Sequence, residues 1–441
     1  MRFSDILGLN ARTQLFSYPF NKARGRSIAS SKIKTKKVLS KAGIPVPAIY
    51  TKFSKPLKIK NFNWGKLPDS FALKPSKGLG GEGIIVVKKR TKDGSGWITT
   101  QRKKVTIEDL KIHVLDVLEG AFSVGNVPDS AYIEEYVGRH KAFKKYAFRG
   151  TPDIRVIVFN KIPVMAMLRL PTKESGGRAN LHQGAIAVGI DIATGITTQA
   201  FWHSEYIYYK PGTKRKLNGI KIPNWTEMLE IAVEAGNAAN LGYFGADVVL
   251  HPEKGPMILE LNYQPGLSIQ LANEAGLRRR LDRVMGLAVK DSEHGVKIAK
   301  ALFAERFADR VKAEEGIKTV KVFETVKIVN AWGKKVKVTA KIDTGAWRTS
   351  INEGLASELG LLKDDNILWT KTVRSSFGKE KRPVINLSFW LAGRKITTPA
   401  SIAKRTALKF PVIIGRKSLK GLLVNPDITK DEKEEAVKKA N

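Results

Sequence analysis

An α+β fold followed by a smaller, mostly-β domain is what the 441-residue sequence predicts. Three observations lead there. Helical and strand-like runs are interspersed up to about residue 290. Within them Phe71–Val87, FALKPSKGLGGEGIIVV, reads as strand, glycine loop, strand. From about Lys318 the texture changes to short β-type runs: Thr319–Val329, Lys335–Ile342, Val384–Leu391, Lys395–Ile402 and Pro411–Ile414. Only Asn352–Leu359 looks helical among them, so this region is a second domain. The expected organisation is an N-terminal arm or partial cap (1–30), an α+β domain (31–290), a helical linker (291–317), a β domain (318–430) and a charged tail (431–441).

Composition bounds the function. Hydrophobic content of 42% and charged content of 27% are those of a soluble globular protein, but the net charge of +36 is not ordinary. It favours acidic partners such as nucleotides, phosphates, polycarboxylates or nucleic acid, although a solvated lysine-rich surface explains it equally well. With no cysteine there is neither a disulfide framework nor thiolate chemistry. Six histidines leave metal binding mainly to oxygen ligands. No run approaches ~18 apolar residues and no signal-peptide core is present, which points to a cytoplasmic protein with no membrane role.

In chain order, Ser31–Ala42 reads as a helix with Ile33, Val38, Leu39 and Ala42 on one side, stopped at Gly43. Of its lysines 32, 36 and 37, a solvated face is the simpler reading for two. Pro45 and Pro47 then force an extended segment. Thr106–Leu118 is an amphipathic helix, and Tyr132–Val137 (YIEEYV) a strand holding two glutamates. Ile154–Phe159 and Pro163–Leu170 form a hairpin about Asn160-Lys161. Asn224–Leu241 is a helix that Asn224 can cap, with Glu227 three residues on. Val296–Val311 is a connecting helix.

Two stretches carry chemistry. In the glycine loop, backbone N–H groups can approach phosphate oxygens while Lys74 or Lys77 supplies a point charge. The lysines precede the glycines, unlike a Walker loop, and a β-branched run follows, unlike a dinucleotide fingerprint. The loop is thus a flap over a nucleotide, or simply a turn. In the hairpin Phe244–Leu250 and Met257–Asn262, Glu260 and Asn262 share a face. Symmetric pairing about the turn sets Leu250 opposite Met257 and Asp247 opposite Glu260. Two facing carboxylates on a buried sheet repel, and a divalent cation such as Mg²⁺ shared with phosphates removes that penalty. The alternative is a polar face that meets water.

The order of these motifs resembles the ATP-grasp superfamily and, within it, the RimK-type glutamate ligases, over roughly residues 31–275. Ser31–Pro47 is similar to the family's first helix and G-I-x-x-P turn, Asp153-Ile154-Arg155 to its D-I-R, Arg178–His182 to its R-S-N-L-H, and Glu260–Gly266 to its E-x-N-x-x-P-G. The resemblance implies that Lys32 and Lys74, with the flap glycines Gly80 and Gly81, contact ATP phosphates. It implies that Glu135, Tyr136, Val137 and Asp153 hold the nucleoside. Arg178 and Asn180 would face the transferring phosphoryl group, Arg178 and Arg155 acting as catalytic residues. Asp247, Glu260 and Asn262 would hold Mg²⁺, or Mn²⁺ in its place. The implied reaction is ADP-forming ligation of a carboxylate to an amine through an acyl-phosphate, adding glutamate or a similar amino acid to a peptide or protein terminus. The relatives' N-terminal α/β domain has no counterpart before residue 31, so a partner or the second domain would complete the acceptor pocket.

Further along, Asp343-Thr344-Gly345-Ala346 follows a strand, and Pro411–Arg416 ends another with an apolar-apolar-Gly-Arg pattern. The pair resembles retropepsin-like aspartyl peptidases, with Asp343 the catalytic carboxylate. Lys381–Ile385 and Leu419–Pro426 resemble the RimB-like branch, a companion of RimK-type ligases. No histidine or cysteine follows His294, which disfavours a zinc site there. Aspartic catalysis needs two carboxylates and the chain has one D-T-G, so peptidase activity implies a homodimer. A non-catalytic binding or scaffold domain is the alternative, and beside the ligase this domain would trim or recognise the added tail. Two other functional readings stand beside the ligase: a peptidase in its own right, or a basic protein binding nucleic acid or ribosomes on a vestigial grasp fold.

Overall fold

Apolar strands of the first half assemble two sheets within the unit Met1–Val296, and a second unit spans Lys297–Asn441. The computed structural model describes residues 5–78, 80–303, 318–375, 378–403 and 410–426. The first sheet contains β1 (Ile49–Phe53), β2 (Phe71–Pro75), β3 (Ile85–Arg90), β4 (Trp97–Thr99), β5 (Lys104–Val105) and β6 (Ala131–Glu135), in the order β1-β6-β2-β3-β4-β5. Its core joins Phe53, Trp64, Phe71, Trp97 and Ile133 to Leu110, Val114 and Val117 of the helix Ile107–Glu119. That helix starts where the sequence predicts: Thr106 Oγ1 accepts from Asp109 N, and Asp109 Oδ2 accepts from Thr106 N. The glycine stretch is the expected antiparallel hairpin, with Phe71 opposite Val87 and Leu73 opposite Ile85.

The second sheet runs β11-β10-β9-β8-β7-β12-β13. Its strands are β7 (Asp153–Phe159), β8 (Ile162–Leu170), β9 (Ile186–Ile190), β10 (Thr197–Trp202), β11 (Glu205–Ile207), β12 (Tyr243–His251) and β13 (Gly255–Asn262). Asn160 and Lys161 take φ of 51° and 61°, the paired positive angles of the two-residue turn that matches strand twist. Every residue of β8 is buried. The helix Trp225–Ala239 lies on this sheet and buries Leu229, Ala232, Val233 and Ala239. Asn224 does not cap it as the sequence suggests. Its backbone is left-handed (φ 53°), and its amide donates instead to Glu227 Oε2 at 2.8 Å.

Residues 5–29 are more than a loose arm. Short helical turns lead into the helix Ala23–Ala29, and Phe16 is fully buried edge-on to Phe159, 5.5 Å between centroids. Gln270 binds both backbone groups of Leu7, at 2.9 and 3.1 Å. Asn21, 1% exposed, donates to Tyr243 O (2.7 Å) and accepts from the N–H groups of Gly242 (3.0 Å) and Tyr243 (3.1 Å).

The second unit, described by itself, is a small barrel. Its strands are β14 (Lys318–Lys321), β15 (Phe323–Val329), β16 (Lys335–Asp343), β17 (Ser350–Asn352), β18 (Ile367–Ser375), β19 (Gly378–Leu391), β20 (Arg394–Ala403), β21 (Val412–Gly415) and β22 (Leu422–Asn425). The order β15-β16-β21-β17-β20-β19-β18 closes through pairing of β15 with β19, and β14 pairs in parallel with β22. Inward residues Val326, Ile342, Ile351, Leu387, Phe389, Ala400 and Ile414 form its core. Asn352 caps the one short helix, Glu353–Glu358. Of the predicted linker, Ser292–Leu302 is helical. Residues 304–317 and the tail from 427 lie outside the described residues. Among the described residues no helix is long and apolar enough to cross a membrane.

Asn21→Ala should remove the side-chain partner of Tyr243 N and O, Gly242 N keeping Phe20 O, and cost about 1–3 kcal/mol of stability. Thermal or urea unfolding checks this. A loss below about 0.5 kcal/mol, ordinary for surface changes, would contradict it.

Candidate active site

Ser31 caps the helix Lys32–Lys41, so Lys32 sits in its first turn beside the glycine hairpin. Lys32 N donates to Ser76 O at 3.1 Å, and its ammonium donates to Gly78 O at 2.8 Å. The same ammonium lies 3.4 Å from Glu260 Oε2. Gly80 and Gly81 turn the flap with φ of 65° and 80°, angles open to glycine. A Cβ on Gly81 would sit 3.5 Å from Arg178 Cδ, and Asn180 Nδ2 donates to Gly80 O at 3.1 Å. Five sequence-predicted residues, Lys32, Gly80, Gly81, Arg178 and Asn180, are thus brought together with Glu260. Asn262 joins them, since its amide donates to Glu260 Oε1 at 3.2 Å.

The hairpin β12–β13 sets Asp247 opposite Glu260, but Leu250 faces Pro256 and Val249 faces Met257, not the predicted Leu250–Met257 pair. A bulge between Asp247 and Val248 on the β12 side absorbs the difference, leaving Leu259 as the extra residue of β13. The expectation that Asp247 presents its carboxylate to a cation needs correction. Arg155 grips both its oxygens at 2.7 Å, and Arg169 Nη2 lies 2.6 Å from Oδ2. Two guanidinium groups offset the burial of this carboxylate. Asp153 is likewise engaged by Arg169, at 2.5 and 2.7 Å, and is 5% exposed, so its oxygens are not turned to a nucleoside. Strand register dictates the network, with Asp247 opposite Arg155 and Asp153 opposite Arg169. Burial pushes Asp153 up to about 6, Arg169 only partly opposing it and the Asp247 charge adding to it. For Asp247 burial acts the same way, but Arg155 and Arg169 outweigh it and hold the carboxyl below its ordinary range.

Lys74 does not stand free. Its ammonium is 2.5 Å from Glu134 Oε1, while Glu134 Oε2 is 2.9 Å from Lys36 Nζ. Lys36 and Glu134 are 2% and 1% exposed, which corrects the solvated reading of Lys36. Burial lowers the Lys36 pKa. For Glu134, burial is overcome by Lys74 and then Lys36, and its carboxyl falls below the usual value. At the end of β6, the Glu135 carboxylate accepts from Ala48 N (3.2 Å) and pairs with Lys254, and its backbone N–H donates to Ala48 O. Val137 packs with Val249 and Met257. Tyr136 adjoins the two in sequence.

Asp343 belongs to the second unit. It ends β16 opposite Gly415 of β21, and its Oδ1 accepts from Gly345 N (2.9 Å) and Ala346 N (3.0 Å). Close approach requires Gly415: a Cβ there would fall 2.4 Å from the Arg348 carbonyl carbon.

The donors fit a nucleotide-borne Mg²⁺. Among the described residues no three His, Cys, Asp or Glu side chains gather as a protein-only metal cage. Glu260 and Asn262 offer neighbouring oxygens, the few-ligand pattern of Mg²⁺ that also binds phosphates. Sequence reasoning missed Lys36, Glu134 and Arg169. The available signal was a charged residue inside each apolar run: Glu134 after Tyr132-Ile133, Arg169 between Leu168 and Leu170.

Arg169→Met removes the cation shared by two buried carboxylates and should cost about 3–5 kcal/mol near neutral pH. Asp153 binds its proton more firmly folded (about 6) than unfolded (3.8), so its contribution is complete below the lower value and lost as pH rises through about 6. Without Arg169, the main charge opposing its protonation, Asp153 should bind its proton more firmly still, so the variant gains more than wild type on acidification and its deficit should shrink from about pH 8 to about pH 5 in urea unfolding. An equal deficit at both would contradict the network.

Comparison with known proteins follows this geometry. An Enterobacter sp. (strain 638) protein described as a probable alpha-L-glutamate ligase is 24% identical over 267 residues, 60% of this chain and 66% of that protein. The chain thus spans just under two thirds of that relative. The ATP-grasp ligase PsnB with its minimal precursor aligns at 16% identity over 60% of this chain and 63% of its own, TM-score 0.32. The ATP complex of D-alanine–D-alanine ligase from Bacillus anthracis aligns at 16% identity over 67% and 71%, TM-score 0.32. Residues 11–286 match the family described as sugar-transfer associated ATP-grasp, and the chain belongs to that family.

Proposed function

We propose that the first unit is an ATP- and Mg²⁺-dependent, ADP-forming ligase that joins a carboxylate to an amine. The observation that carries this reading is Lys32, whose one ammonium reaches both the glycine flap at Gly78 and the Glu260–Asn262 pair. Phosphate chemistry needs those three features within reach of one anion. Membership of an ATP-grasp family and the glutamate-ligase relative support it.

In this reading Lys32, Lys74 and the flap N–H groups bind the phosphates. The hinge Glu135–Val137 borders the nucleoside through its backbone. Glu260 and Asn262 would hold Mg²⁺, which when bound neutralises phosphate charge. Arg178, the one site arginine without a close carboxylate partner among the described residues, is placed to balance charge on the transferring group. A carboxylate oxygen attacks the γ-phosphorus as its bond to the ADP oxygen breaks. The acceptor amine then attacks the acyl carbon, expels phosphate and loses a proton. Arg155 acts from behind, fixing Asp247 on the strand beside Glu260. We further propose that the donor is glutamate or a similar amino acid and the acceptor a peptide or protein. On this reading the barrel is retropepsin-like and recognises or trims the acidic product, Asp343 acting as a peptidase carboxylate only in a homodimer. Residues 318–426 hold 22 Lys and Arg against 7 Asp and Glu, which favours an acidic ligand there.

The test follows ADP release and product mass with MgATP and a panel of amino acids, peptides and amino sugars. Acceptor-dependent ADP formation is expected, falling about 100-fold or more in Lys74→Ala and Glu260→Gln. AMP formation, no turnover with any acceptor, or full activity in Lys74→Ala would overturn the reading. Asp343→Asn should leave ADP formation intact and alter only product length.

A further inference from the structure

A buried lysine is costly, and Glu134 already has a partner in Lys74, so the second lysine calls for an explanation. Lys36 is 2% exposed, and its ammonium touches Glu134 Oε2 while Lys74 occupies Oε1. Lys74 is 12% exposed and Glu134 only 1%. The carboxylate therefore lies between one cation sealed in the core and one that keeps some exposure to solvent. Register fixes the arrangement: Glu134 stands opposite Ala72 on β2, two residues before Lys74, while Lys36 arrives from the helix Lys32–Lys41.

A simple Lys74–Glu134 pair would be electrically closed. An incoming phosphate would have to compete with Glu134 for the ammonium and would meet an uncompensated carboxylate behind it. With Lys36 present the triad carries one net positive charge, and Glu134 keeps a partner when Lys74 turns to the anion. We propose that Lys36 is a positioning residue, a buried counter-cation that neutralises Glu134 so that the Lys74 ammonium is available to the phosphates of a nucleotide. This deepens the ligase reading and rests on it for the identity of the anion. Lys36 itself touches no substrate. It acts through Glu134.

The experiment uses the full chain as wild type, Lys36→Met and Lys36→Met/Glu134→Gln. Two quantities are read: equilibrium binding of MgADP, and the rate at which an amine-specific acylating reagent labels Lys74, followed by peptide mass spectrometry. In Lys36→Met, MgADP binding should weaken about tenfold or more, because Glu134 claims Lys74 for itself. Labelling of Lys74 should slow for the same reason. Adding Glu134→Gln should restore binding to within about threefold and speed labelling beyond wild type, the non-additivity of a coupled charge pair. A merely structural role predicts the opposite for labelling, since a loosened core exposes Lys74. Unchanged binding in Lys36→Met, faster labelling there, or no rescue by the second change would each overturn the inference. If wild type binds no adenine nucleotide, the ligase reading falls together with the anion assignment. The labelling order then decides separately whether Lys36 and Lys74 share Glu134.

Discussion

Burying a carboxylate is affordable here only because a cation from another segment meets it. Glu134 takes Lys36 and Lys74, Asp247 takes Arg155 and Arg169, and Asp153 takes Arg169. These contacts tie a helix to the first sheet and lock three adjacent strands of the second. Hydrophobic burial gathers the sheets without fixing their register closely. A misplaced strand would strand a charge in the core, at a penalty far above that of a displaced methyl group. The ion pairs thus act as registry pins, and they fix Lys74 and the strand that carries Glu260 in place.

The two clusters differ in their donors. In the second sheet each carboxylate is saturated by bidentate guanidinium contacts, which leaves a rigid wall behind Glu260 and Asn262. In the first sheet the donors are ammonium groups, compact point charges without a fork to lock them. Rigidity suits a wall that orients ligands. A looser partner suits a lysine that must exchange one anion for another.

Much of the fold was legible in the sequence because its signals were local. Thr106 with Asp109, the Asn160-Lys161 turn and the β-branched run after the glycines each specify geometry within a few residues. Asp247 does stand opposite Glu260, but the register at the turn is one residue off the expected one and only the bulge at Leu259 restores that pair. What stayed hidden depends on contacts across the chain. Nothing near Lys36 announces that Glu134, ninety-eight positions on, will draw it inward, and Asp247 looks like a metal ligand until β7 and β8 bring two arginines to it. Asn224 shows the limit of local motifs, since its residue type fits a cap while its left-handed backbone forbids one.

The opening residues have a consequence in time. Leu7 and Asn21 are held by Gln270, Gly242 and Tyr243, partners separated from them by 221 to 263 positions. A ribosome delivers Phe16 long before Phe159 and Tyr243 exist to receive it. Until then the segment is an exposed apolar strip, and closing so long a loop is entropically slow. A segment that precedes its partners by so many positions can pack only once β7 and β12 exist to receive it.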